Sequence, residues 1–162
     1  MMDILYSPWR IDYILSKKEK GCIFCSKPKA DDEEHLIIKR GEHTYIIMNL
    51  YPYNNAHLMV IPYRHVSILS ELNDDELFEM MKMTQLCEKV LNEVYTPDGM
   101  NVGMNIGEAA GAGIADHLHI HIVPRWKGDT NFISTLGRTR VIPEKMEESY
   151  HKLKKVFDIY EI

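Results

Sequence analysis

Long apolar runs are missing from this 162-residue sequence, and so is any excess of basic charge. No window reaches the roughly 18 uninterrupted apolar residues of a membrane span. The opening stretch, MMDILYSPWRIDYILSKKEKG, meets charges early and carries no apolar segment of signal-peptide length. Cysteine is scarce, and Cys22, Cys25 and Cys87 do not read as a secreted disulfide framework. These absences predict a cytoplasmic protein with no membrane partner. Nineteen lysines and arginines stand against 24 aspartates and glutamates, a formal net charge of −5. That balance argues against nucleic acid as a partner, since non-specific binding rests on clustered cations. Repeats, low-complexity tracts and Gly/Ser/Pro linkers are also absent. Residues 1–162 therefore read as one domain, with 1–20 as an N-terminal extension and 140–162 as a C-terminal helical segment.

What is present is an ordinary globular composition, 45% hydrophobic, in a chain long enough to bury one sizeable core. HTYIIMN (43–49) is rich in β-branched and aromatic residues and reads as a strand. YPYNN turns the chain, and HLMVIP (57–62) reads as a second strand stopped by its proline. Asn73 followed by Glu76 resembles a helix N-cap. Beyond it Leu77, Met80, Met81, Thr84, Cys87, Val90, Leu91 and Val94 recur at helical spacing to about Tyr95. MNVGMNI (100–106) reads as a further strand, followed by the Gly/Ala-rich loop GEAAGAGIAD (107–116). A last strand ends at Pro124. After Pro143 a second amphipathic helix carries Met146, Tyr150, Leu153 and Phe157. The pattern predicts an α+β fold: an antiparallel sheet of about five strands, one long central helix and a C-terminal helix.

The most informative stretch is HLHIHIVPRW (117–126). Three of the eight histidines fall at alternate positions within five residues. Side chains alternate faces along a strand, so His117, His119 and His121 share one face while Leu118, Ile120 and Ile122 take the other. As buried core groups they would need three separate hydrogen-bond partners. As one metal site they span about 13 Å along the strand, too far for the outer two to share bonds of about 2 Å comfortably. Adjacent members of the row could share an ion. The same geometry suits catalysis at phosphorus. A neutral central imidazole is nucleophilic near pH 7, and its neighbours can orient it or give protons to phosphate oxygens. The Gly/Ala loop directly before the row offers backbone N–H groups for those oxygens.

These residues resemble the histidine-triad family, whose signature His-φ-His-φ-His-φ-φ (φ apolar) is matched in full by residues 117–123. The resemblance extends to MNLYPYNNAHLMVIPYRH (48–65) and NIGEAAGAGIADH (105–117), and covers about residues 20–135. It implies that His119 is the nucleophile and forms a nucleotidyl-imidazole intermediate at an α-phosphate. It implies that His121 holds the tautomer of His119, that His57 extends that relay and that His117 completes the triad. Asn49 falls where the family contacts ribose. Asn105 and the backbone around Gly111, Ala112 and Gly113 fall in the phosphate-binding segment, and Trp126 packs near a base or a dimer partner. Many hydrolase members carry glutamine about where this chain has Gly113. SPWR, NLYPYN, AGAGIADHLH and PRWKGDTNF look instead like bacterial and archaeal members related to diadenosine tetraphosphate phosphorylases. The substrate implied is an adenine nucleotide or dinucleoside polyphosphate, with inorganic phosphate or water as acceptor. A phosphoramidate hydrolase, or a nucleotide-binding module of low turnover, is the alternative. Family members form homodimers, and Met80, Met81 and Met83 on the long helix are compatible with that.

CIFC (22–25) carries several readings on its own, redox chemistry and metal binding among them. No thioredoxin-like βαβ pattern surrounds it. Some histidine-triad relatives bind structural zinc with such a pair, the histidine after the second strand's proline, and the first triad histidine. By that resemblance the Zn²⁺ ligands are Cys22, Cys25, His65 and His117, a donor set suited to a tetrahedral ion. No organic cofactor is implied. Cys87 lies on the apolar face of the long helix and reads as core.

Overall fold

A computed structural model describes residues 21–131, 134, 136 and 141–161. The N-terminal extension, with its SPWR, and Phe132 lie outside the described residues.

The β-branched and aromatic runs form the sheet. Its strands are β1 (Ile37–Arg40), β2 (Thr44–Met48), β3 (Leu58–Pro62), β4 (Gly99–Gly103) and β5 (Ile120–Arg125). The spatial order is β1-β2-β3-β5-β4, and every pairing is antiparallel. The helices are the short α1 (Ile23–Ser26), the long α2 (Asp74–Tyr95) and α3 (Met146–Phe157). The expected α+β architecture is the one observed.

Two layers of apolar contact use the two faces of the sheet. On one, Ile38, Ile46, Met48, Leu58, Val60, Ile120 and Ile122 pack with Met80, Met83, Cys87, Val90 and Leu91 of α2 and with Tyr150, Leu153 and Phe157 of α3. On the other, Ile37, Tyr45, Ile47, Met59 and Ile61 pack with Phe24 of α1. Full burial of each such side chain stabilises the fold by about 1.5–3 kcal/mol.

Helix α2 starts with a complete capping box. The Asn73 side chain accepts from the Glu76 amide, and the Glu76 carboxylate accepts from the Asn73 amide, both at 2.9 Å. Glu76 also takes Arg64 at 2.6 Å, and that ion pair, helped by the cap and opposed by burial, holds its carboxyl at about 2. Leu77 and Met81 were expected on the buried stripe but are 40% and 49% exposed, whereas Met83 is fully buried. The capping Glu76 takes the inward place in the first turn. Met81 follows Met80 by about 100° of helical rotation, which carries it off the stripe.

Strand β5 begins later than expected, at Ile120, so His117 and His119 precede it and only His121 of the row lies on the strand; at its other end it runs one residue past the expected stop. Pro124 pairs only with Met100 of β4, because pairing with β3 ends at Ile122. A residue without an N–H is tolerated where one neighbouring strand has already left. Strand β1 was not distinguished in the sequence. It follows Leu36 at φ 59° and carries a bulge between Ile37 and Lys39, so it has no clean alternation.

Candidate active site and metal centre

The row of histidines leads into β5, the strand between β3 and β4. Met59 of β3 and Gly103 of β4 flank His121 in register. His117 and His119 are 1% and 4% exposed, and His121 is half-buried. Leu118, Ile120 and Ile122 are buried, and the last two take the α2 face as expected, while His117 and His119 meet Phe24.

Each ring has its proton position set by its neighbours. His57, fully buried just ahead of β3, receives the Tyr53 amide at Nδ1 (3.1 Å) and lies 3.3 Å from the Asn49 side-chain amide at the same nitrogen. Asn49 Oδ1 accepts from the Tyr51 amide, which turns its NH₂ toward His57. With two donors on Nδ1, neutral His57 carries its proton on Nε2, and that N–H donates to His121 Nδ1 at 2.9 Å. His121 then carries its own proton on Nε2. His119 Nδ1 donates to the backbone carbonyl of His117 at 2.9 Å, leaving Nε2 as an unprotonated lone pair. The tautomer of His119 is thus set by a carbonyl, while His57 sets that of His121.

Burial, with the neighbouring imidazoles adding to it, lowers His57 to about 3 and His121 to about 4. Burial also lowers His119, against the hydrogen bond to His117. The row is neutral at physiological pH, the state in which an imidazole nitrogen attacks phosphorus.

At the other end of the row His117 faces different chemistry. Its Nε2–H donates to the Pro62 carbonyl at 2.9 Å, which leaves Nδ1 as the lone pair. That Nδ1 lies 3.2 Å from Cys22 Sγ, 3.6 Å from Cys25 Sγ and 3.3 Å from His65 Nδ1, and Cys25 Sγ lies 3.4 Å from His65 Nδ1. All four ligand atoms fall within 4.8 Å of one another. A tetrahedron with bonds of about 2.0–2.3 Å has edges of about 3.3–3.8 Å. The donor set and the four spacings of 3.2–3.6 Å suit one tetrahedral ion, the widest pair standing up to 4.8 Å apart.

The Gly/Ala loop is less open than its composition suggested. The Gly111 and Ala112 amides close turns on Glu108 and Gly107, and Gly107 and Gly111 adopt positive φ. Gly113 has no intrachain hydrogen bond among the described residues, and Asn105 is half-buried nearby in sequence. Trp126 is half-buried, its backbone closed in a turn by Asp129, and no ring contact joins it to the histidines among the described residues. Asp129 also accepts from Asn54 at 2.8 Å and pairs with Arg125, tying the segment after β5 to the turn that leads to His57. Neither Asn54 nor Asp129 was singled out in the sequence, although the paired asparagines of YPYNN marked the turn.

Fold and site together define an α+β protein built around a row of neutral imidazoles beside a sulfur–nitrogen cluster. The HIT domain pattern matches residues 30–128, and the chain belongs to the HIT family. It is 43% identical over 154 residues to an AP-4-A phosphorylase of Mycobacterium tuberculosis, covering 90% of this chain and 79% of that protein. It is 29% identical to an adenosine 5'-monophosphoramidase of Candida albicans, over 82% of this chain and 93% of that one. Among solved structures, a Zn-bound histidine triad family protein from Mycobacterium smegmatis superposes with a TM-score of 0.69 at 27% identity, covering 86% and 94% of the two chains.

Proposed function

We propose that the protein cleaves dinucleoside polyphosphates of the diadenosine tetraphosphate type through a covalent nucleotidyl-His119 intermediate. The observation that carries the proposal is the fixed tautomer of His119, whose Nδ1–H is committed to the His117 carbonyl while Nε2 keeps its lone pair. In the first step Nε2 attacks the α-phosphorus and the P–O bond to the rest of the polyphosphate breaks. With diadenosine tetraphosphate the leaving group is ATP, and the adenylyl group stays on His119. The proton on His121 Nε2 stabilises the charge on the departing or non-bridging oxygens. The Gly113 amide adds a donor for the phosphate, and Asn105 stands with it in the phosphate segment. Asn49 orients His57 here and borders the ribose through the same turn. In the second step an acceptor oxygen attacks phosphorus and the P–N bond breaks. Phosphate as acceptor yields ADP, and water yields AMP.

The 43% identity to a named phosphorylase supports phosphate as the acceptor, as does glycine at position 113 where many hydrolases carry glutamine. Incubation of the protein with diadenosine tetraphosphate, with and without phosphate, tests this by product. ADP plus ATP formed only with phosphate supports phosphorolysis, and AMP plus ATP in both arms overturns it. Hydrolysis of a nucleoside phosphoramidate is the second reading, favoured by the phosphoramidase relative.

Cys22, Cys25, His65 and His117 would hold Zn²⁺, which supplies structural crosslinking of three separate chain segments when bound. The protein is read as a cytoplasmic homodimer; no helix among the described residues is long and apolar enough to cross a membrane.

A further inference from the structure

We propose that Phe24, lying between the two cysteines, is a positioning residue whose ring holds the His119 imidazole in its reactive orientation. The inference rests on reading His119 as the nucleophile. Phe24 belongs to α1 and is 3% exposed. Its ring meets His119 with centroids 5.2 Å apart and planes at 60°, and meets His117 at 5.6 Å and 84°. His121 gives His119 a second ring contact, at 4.6 Å and 76°. Edge-to-face contacts of this kind fix relative ring orientation as well as filling space. Rotation of the His119 ring about Cβ–Cγ would break its Nδ1 bond to the His117 carbonyl and disturb both ring contacts.

Phe24 can act this way because its own position is fixed from two sides. Its carbonyl accepts the hydroxyl of fully buried Tyr45 at 2.8 Å. The flanking sulfurs of Cys22 and Cys25 lie against the imidazoles of His117 and His65. The sulfur–nitrogen cluster therefore reaches His119 by two routes, through the Phe24 ring and through the His117 carbonyl. Packing alone asks only for an apolar side chain among Ile37, Tyr45, Ile47, Met59 and Ile61, and leucine or methionine would serve it.

That difference gives the test. Phe24→Leu and Phe24→Met keep apolar volume and lose the ring, while Ile47→Val trims the same cluster elsewhere. With metal content matched, kcat and KM for diadenosine tetraphosphate are measured together with the ¹⁵N imidazole NMR signals of His119. We expect kcat to fall about tenfold or more in both Phe24 variants with KM within about twofold, as misplacement of a reacting group dictates. The His119 signals should change from a single Nδ1–H tautomer to a mixture. Ile47→Val should lower the melting temperature and leave kcat and the His119 signals unchanged. Wild-type kcat and wild-type His119 signals in Phe24→Leu would overturn the proposal. If wild-type protein turns over no nucleotide but loses its single tautomer in the Phe24 variants, positioning stands and the nucleophile reading fails.

Discussion

The Nε2 of His57 lies 2.9 Å from the Nδ1 of His121, and the direction of that hydrogen bond is imposed from outside the pair. The Tyr53 amide occupies His57 Nδ1, so His57 gives its proton to His121 and His121 keeps its own on Nε2. A backbone amide 68 residues before His121 in sequence thereby decides which nitrogen of the last triad histidine is a donor.

Removing His57 breaks this chain without touching His119. His57→Ala should lower kcat for diadenosine tetraphosphate about 10²-fold and leave KM nearly unchanged, within the range of a lost acid–base contribution. It should also destabilise the fold by about 1–3 kcal/mol, because the Tyr53 amide loses its acceptor. Steady-state kinetics and denaturant melts check both effects.

Burial lowers His57 from 6.5 to about 3 and His121 from 6.5 to about 4. Between these values and 6.5 the unfolded chain binds more protons than the folded one, so stability falls as pH drops through that window. Denaturant midpoints measured from pH 7 to pH 4 should decline, and the decline should be shallower in His57→Ala. An unchanged slope in that variant would remove His57 from the account.

The capping box is separate from the chemistry. Asn73→Ala should cost about 1 kcal/mol of stability, and Glu76→Gln should cost at least part of that through the Arg64 pair. Thermal melts read the loss, and turnover should stay at the wild-type level.

For the proposed zinc site, one ion per chain is expected by elemental analysis, and Cys22→Ser and His65→Ala should each reduce it. Chelation should lower the melting temperature of the wild type by several degrees, because an ion that binds only the folded chain stabilises it. Elemental analysis beside the melt checks stoichiometry and stability together.

The histidine row was legible from its two-residue period, with Ile120 and Ile122 marking the α2 face, but the strand itself holds only His121, since β5 begins at Ile120. Helices α2 and α3 were legible from apolar spacing, α2 also from its Asn73 cap, whereas the four-residue α1 was not. Strand β1 was not, since a positive-φ residue and a bulge interrupt its pattern. The cysteine pair suggested chemistry, but its convergence on His65 and His117 depends on contacts across about 40 and 90 residues, which spacing alone does not encode. Phe24 was invisible for the same reason. A phenylalanine inside CIFC reads as packing until the fold sets its ring against His119. The His117 carbonyl that sets the tautomer of His119 is a backbone group, and no residue choice announces it.

The central claim is that His119 Nε2 carries the nucleotidyl group. Its most direct test is to mix the protein with diadenosine tetraphosphate without phosphate, quench at alkaline pH to preserve a P–N bond, and map the adduct by peptide mass spectrometry. The expected result is an adenylyl group on His119 that disappears when phosphate is added, and no adduct or turnover in His119→Ala. An adduct on another residue, or undiminished turnover in His119→Ala, would contradict it.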